Sequence, residues 1–246
     1  MILEVRGLSK KFGTKEDSLQ ALKDVNLQLN KGEILGVVGE SGSGKTTLLK
    51  VISGLEVADQ GEIKLHERLL TAKRTKEDYR LMQMIFQDAA ASFHPRRSIE
   101  ASIREAVRNL RGKQKTIDNE TLASQVGLTP ELLKRRPSQL SGGQCQRFAI
   151  ARAIAVQPEI LLCDEITSAL DVSTQAQILK LLSKICRQSG TSAIFVSHNL
   201  AVVSCLCDRI MVMKDGEVVE EGETKEIIKK PKQEYTKRLI ESVLEV

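Results

Sequence analysis

The chain has 246 residues, 41% hydrophobic and 28% charged, with 37 Lys and Arg against 32 Asp and Glu for a formal net charge of +5. That length suits one large domain or two small ones with a sizeable core, and a charged fraction close to the globular average argues against intrinsic disorder. So small a cationic surplus does not announce a nucleic-acid binder, although it suits an anionic ligand or membrane surface; 3% aromatics and no Trp leave little for base stacking.

The alternating start, Ile2-Leu3-Glu4-Val5-Arg6, reads as a strand with one wet face and lacks a signal peptide's apolar block. Val25 to Leu29 and Glu62 to Leu65 alternate in the same way, so these segments are expected as antiparallel strands. Ile34 to Val38, Ile160 to Leu162 and Ala193 to Val196 are apolar without alternation, which suits parallel strands buried on both faces. Helical patterns run from Thr46 to Ser53, Gln144 to Val156 and Thr174 to Gln188, giving an α/β sheet. Between Asp88 and Leu140 the chain is polar and basic (Arg96, Arg97, Arg108, Arg111, Lys113, Lys134, Arg135, Arg136) and reads as a helical insertion. Met211 to Val219 is a hairpin with an Asp-Gly turn, and the basic tail from Lys225 to Val246 is expected as one or two short helices. No apolar run reaches the roughly 18 residues of a spanning helix. The five cysteines follow no framework spacing and read as buried thiols in a reduced, cytosolic setting.

Gly39-Glu40-Ser41-Gly42-Ser43-Gly44-Lys45-Thr46 matches G-x-x-x-x-G-K-[ST] and lies between an expected buried strand and a helix start. Glycines let successive backbone N–H groups, here through Thr46 and Thr47, turn toward phosphate oxygens at the positive end of the helix. Lys45 would then reach the β- and γ-phosphates, and the Thr46 hydroxyl would bind Mg²⁺. Ile160 to Cys163 ends in Asp164 and Glu165, placing two carboxylates at the carboxyl end of a strand, where α/β sheets bind ligands. Asp164 suits the metal shell, and Glu165 suits the activation of water. A further strand ends at Ser197-His198. Ser141-Gly142-Gly143-Gln144 again sets bare N–H groups before a helix. It reads either as an ordinary glycine-flanked cap or as the second half of a site shared head-to-tail between subunits.

Together these motifs resemble the ATP-binding subunit of ABC transporters over essentially the whole chain. The resemblance implies an α/β P-loop NTPase core with a mostly parallel sheet, an N-terminal antiparallel β subdomain and an inserted α-helical subdomain. The expected division is a core of residues 1–87 and 149–220, a helical signature subdomain of 88–148 and a tail of 221–246. It also implies ATP and Mg²⁺ as ligands, with Phe12 stacking on adenine and Gln87 sensing metal and γ-phosphate. Glu165 becomes the general base and His198 the holder of the γ-phosphate and attacking water. Ser141, Gly142, Gly143 and Gln144 would act on ATP held by the opposite subunit, and Ser168-Ala169-Leu170-Asp171 matches a further family loop.

Gln87 to Arg96, Asp171 to Gln177, Ser197 to Val203 and the tail's Tyr235-Thr236-x-x-Leu239 resemble the peptide/nickel importer branch. Ile166 stands where the family usually has Pro, and Phe93-His94 replaces the commoner Leu-Asn. No cysteine follows Cys207, so the cysteine-rich tail of many peptide-importing relatives is missing, which tilts the reading toward nickel or metal-chelate cargo. His66, His94 and His198 are scattered and make no cargo site. The expected partners are a second, different ATPase subunit, two transmembrane permease subunits and an extracytoplasmic substrate-binding protein, with no nucleic acid. The expected location is peripheral, on the cytoplasmic face of the cell membrane. The rival reading is a soluble ABC-type ATPase in DNA repair or translation, but such proteins usually carry two cassettes or a long inserted coiled coil.

Overall fold

The computed structural model describes residues 1–13, 18–112 and 118–244. Lys113 of the basic stretch and the last two residues of the tail lie outside the described residues. By compactness the chain divides into two units, Met1–Arg74 with Gly190–Val246, and Thr75–Ser189. The first unit opens with β1 (Leu3–Gly13), β2 (Ser18–Leu29), β3 (Ile34–Val38), α1 (Lys45–Ser53), β4 (Gln60–Leu65) and β5 (Arg68–Leu69). The second holds α2 (Lys76–Leu81), β6 (Met82–Ile85), α3 (Ile99–Arg111), α4 (Asn119–Gln125), α5 (Gly142–Ala155), β7 (Ile160–Asp164) and α6 (Val172–Ser189). The first unit resumes with β8 (Ser192–Ser197), α7 (Leu200–Leu206), β9 (Arg209–Lys214), β10 (Glu217–Glu223), α8 (Thr224–Lys229) and α9 (Glu234–Leu244).

One sheet of the first unit is antiparallel, in the order β2-β1-β4-β5, with Leu3 opposite both Leu29 and Leu65. The simple alternation expected of β1 fails at Glu4, which is buried, and the Arg6 guanidinium 2.7 Å away supplies the counter-charge. A carboxylate is tolerated in such a place only with a partner of this kind. In the other sheet, β3 is flanked on both sides by parallel strands, Gly36 lying opposite Phe195 of β8 and Ile210 of β9. Every residue of β3 and β8 is buried, which is why neither segment alternates. β10 returns antiparallel to β9 through Asp215 (φ 49°) and Gly216 (φ 83°). Two successive left-handed residues make the two-residue turn whose twist suits a hairpin, as the Asp-Gly pair predicts.

In the second unit β6 and β7 pair in parallel, Ile85 opposite Cys163. The basic stretch before Leu140 holds α3, α4 and two short 3₁₀ turns, Pro130–Lys134 and Pro137–Gln139. Ser98 caps α3 by accepting from the Ala101 amide at 3.2 Å, and Ile99, Ile103 and Val107 bury one face of that helix. Their spacing of four leaves Arg104 and Arg108 exposed on other faces, whereas Arg111, four residues after Val107, continues the buried face and donates to the Ala155 carbonyl at 3.3 Å. Among the described residues no helix is long and apolar enough to cross a membrane.

Candidate nucleotide site

Buried β3 leads directly into the Gly39–Gly44 loop, and α1 begins at Lys45. Gly44 caps α1 with φ 100°, and a Cβ there would lie 2.4 Å from the Ala21 carbonyl oxygen, so this turn closes only on glycine. No acidic side chain stands in the first turn of α1, which leaves the positive end of the helix uncompensated by its own residues. Thr46 and Thr47, half-buried, share that turn, where amides have no acceptor within the helix.

Lys45 is only 4% exposed. Its Nζ donates to the carbonyl oxygens of Gly39 and Glu40, each at 2.7 Å, and lies 3.3 Å from Ser43 Oγ. A buried ammonium keeps its charge only with such acceptors, so the loop is folded around its own lysine. Behind it, the Gly216 amide of the β9–β10 turn donates to Ser43 O at 3.2 Å. Glu40, Ser41 and Gly42 form the exposed crest of the loop.

Elsewhere in this unit, Phe12, the penultimate residue of β1, is exposed, with the Lys10 ammonium 5.2 Å from its ring centroid. His198 is exposed at the end of β8. Its turn is fixed from both sides. The Asn199 amide donates to Ser197 Oγ at 3.0 Å, and the Asn199 side chain caps α7 by accepting from Ala201 N at 2.9 Å.

The second unit carries the remaining residues. Asp164 closes β7 at 6% exposure, and Glu165 follows with φ 47°, a left-handed conformation that is unusual for a side chain of this kind. The Glu165 carbonyl accepts from the Ser168 amide at 3.1 Å and from Ser168 Oγ at 3.0 Å. Gln87 Nε2 donates to the same Ser168 Oγ at 3.1 Å. Ser168 thus joins the glutamine to the turn that carries the glutamate, a connection that neither residue's sequence position announces. Ile166, which follows Glu165, is fully buried.

Ser141 caps α5 in a reciprocal box: its Oγ accepts from Gln144 N at 3.2 Å, and Gln144 Oε1 accepts from Ser141 N at 3.0 Å. Gly142 and Gly143 supply the next amides. A Cβ on Gly143 would lie 2.6 Å from Thr174 Cγ2, so glycine permits α6 to approach here. At the start of α6 the hydroxyls of Ser173 and Thr174 and the Thr174 amide hold the Asp171 carboxyl far below the usual carboxylate range. Phe93, the departure before Pro95, is buried under the Arg152 guanidinium of α5, 4.6 Å from its ring centroid. Arg152 also donates to Ser92 O, and burial lowers its pKa.

Residues 22–168 match the family model described as ABC transporter. The chain is 42% identical to the oligopeptide transport ATP-binding protein OppF of Haemophilus influenzae, over 99% of this chain and 78% of that protein. It is 39% identical to the oligopeptide transport ATP-binding protein AmiF of Streptococcus pneumoniae serotype 4, over 98% of this chain and 81% of that one. Among solved structures, a dimeric ATP-binding cassette in a post-hydrolysis state bound to ADP and Pi superposes with a TM-score of 0.79 at 29% identity, covering 91% of this chain and 99% of that one. By these matches the chain belongs to the ABC transporter family, as an ATP-binding subunit with an α/β P-loop fold that hydrolyses ATP.

Proposed function

We propose that this subunit powers oligopeptide uptake, working at the cytoplasmic face of the membrane with a second, different ATPase, two membrane-spanning permease subunits and an extracytoplasmic binding protein. The names carried by OppF and AmiF favour oligopeptide over nickel or metal-chelate cargo. The functional parts in this reading are the core of residues 1–87 and 149–220, the helical signature subdomain of 88–148 and the tail of 221–246.

Within the core, Lys45 and the loop running from Gly39 to Thr47 hold the β- and γ-phosphates, and Phe12 stacks on adenine. Thr46, Gln87 and the buried Asp164 offer hydroxyl, amide and carboxylate oxygens, the hard donors that Mg²⁺ takes. When bound, that ion neutralises charge developing on the phosphate oxygens. Glu165 accepts the proton of the attacking water, while His198 holds that water against the γ-phosphate. Ser141, Gly142, Gly143 and Gln144 bind ATP held by the opposite subunit, so closure of the ATPase pair on nucleotide completes each site. Hydrolysis then reopens the pair and moves the permease between its two faces.

The observation that carries this reading is the buried Lys45, enclosed by a glycine loop at an uncompensated helix start. The test is uptake of a labelled oligopeptide and of Ni²⁺ by cells lacking the chain, complemented with wild type or Lys45→Ala. Oligopeptide uptake restored only by wild type is the expected result. Restoration of Ni²⁺ uptake alone would replace the cargo, and equal restoration by Lys45→Ala would remove ATP binding by this chain from the mechanism.

A further inference from the structure

The peptide between Gly39 and Glu40 is gripped at both ends. Its carbonyl oxygen, on Gly39, accepts from Lys45 Nζ at 2.7 Å. Its N–H, on Glu40, donates to the Tyr235 hydroxyl oxygen at 3.1 Å, a contact between residues 195 positions apart. Because a peptide unit is rigid and planar, fixing its N–H also fixes the direction of its C=O. The tyrosine therefore sets the orientation of a carbonyl that holds the phosphate-loop lysine. Glu40 N–H is directed to the tail, while the Glu40 carbonyl also accepts from Lys45.

Tyr235 is itself held in place. Lys214, at the end of β9, lies with its ammonium 5.1 Å from the tyrosine ring centroid. Just before α9, the Glu220 carboxylate accepts from the amides of Lys232 at 2.8 Å and Gln233 at 3.0 Å, fixing the segment that leads into the helix. Thr236, the residue after Tyr235, is fully buried, so the first turn of α9 is packed into the fold. These contacts form one chain: Glu220 seats the start of α9, α9 presents Tyr235, Tyr235 orients the 39–40 peptide, and that peptide holds Lys45.

We infer that Tyr235 is a positioning residue for nucleotide binding, through which the seating of the C-terminal helix tunes the phosphate loop. It touches no nucleotide. Without its hydroxyl the 39–40 peptide is free to turn, and Lys45 must be organised when ATP arrives rather than before. Preorganisation then appears in nucleotide affinity. The inference rests on the reading of Gly39 to Thr47 as the ATP loop.

The test uses the full chain, with a non-hydrolysable ATP analogue and Mg²⁺ as the titrant. Tyr235→Phe keeps the ring under Lys214 and removes only the hydroxyl. It is expected to weaken the analogue's Kd by about three- to tenfold, the scale of one net hydrogen bond, with the melting temperature little changed. The Glu40 amide should exchange with solvent faster in that variant. Glu220→Gln acts on the same chain of contacts from its other end. It should weaken binding in the same direction, and the double variant should lose less than the product of the two single effects. Lys45→Ala is the control for the site. Unchanged Kd and Glu40 exchange in Tyr235→Phe, with binding lost in Lys45→Ala, would overturn the positioning role and leave the ATP site standing. Full binding by Lys45→Ala would overturn both.

Discussion

The loop at Gly39–Gly44 and the turn at Ser141–Gln144 share one sequence signature, Ser and Gly ahead of a helix, yet they are physically opposite. In the first, glycine caps the helix, the crest is open, and a buried lysine is held at the centre by loop carbonyls. In the second, Ser141 and Gln144 close a reciprocal cap on each other, and no cation is held inside. The first presents an open loop at an uncompensated helix start, the arrangement the proposed nucleotide site uses. The second offers only the amides of Gly142 and Gly143 and the exposed Ser141, which suits a surface that completes a site held elsewhere. Glycine before a helix therefore does not define a phosphate site; the placement of charge does.

The sharpest break in this comparison comes from the second unit's chemistry. Glu165→Gln should lower hydrolysis by about 10²- to 10⁴-fold, the usual contribution of a general base, while ATP affinity stays within about twofold. Steady-state turnover and equilibrium binding together check it; a parallel fall in both would make Glu165 a binding group. Lys45→Ala should act in the other direction, with ATP affinity falling about a hundredfold or more, since charge-assisted contacts are lost from the loop's centre. Ser141→Ala should be milder still. It removes the cap of α5 and should cost about 1 kcal/mol of stability by chemical denaturation, with the chain's own ATP affinity unchanged.

The smallest effect concerns acid. Burial pushes the Glu220 carboxyl up, but the neighbouring Thr236 hydroxyl and the Lys232 and Gln233 amides outweigh it and hold the group below its ordinary value of 4.5. A depressed carboxyl adds stability that is present above the unfolded value and is lost as pH falls through the lower folded one. Hydrogen exchange corrected for intrinsic rate should therefore show steady protection of α9 at neutral pH and loosening only below 4.5. Loosening between pH 6 and 8 would point to a different clamp.

The strand–loop–helix turn at Gly39–Gly44 was legible because its demands are local: glycines at fixed spacing, a lysine, and a strand before a helix. The hairpin was legible for the same reason, Asp215-Gly216 being a pair that accepts left-handed backbone. Other features depend on distant partners. β6, only Met82 to Ile85, is too short for a period to emerge, and β5 is a two-residue edge. α2 and α7 are single short helices, and their caps, Thr75 with Asp78 and Asn199, were the available signals. Burial of Glu4 requires knowing that Arg6 turns back to meet it. The Tyr235 contact with Glu40 spans almost the whole chain, and the tail motif around it carries no hint of its target. Ser168 lay within a recognised loop, but its bridge from Gln87 to the Glu165 turn exists only in three dimensions.

The contrast between the two loops can be measured directly by titrating Mg·ATP into purified, folded Lys45→Ala and Ser141→Arg chains side by side. The account predicts that Lys45→Ala loses binding, while Ser141→Arg binds as wild type does and fails only in the turnover of the assembled complex. Equal loss of binding in a folded Ser141→Arg chain would place the signature turn in the chain's own nucleotide site and contradict the shared-site account.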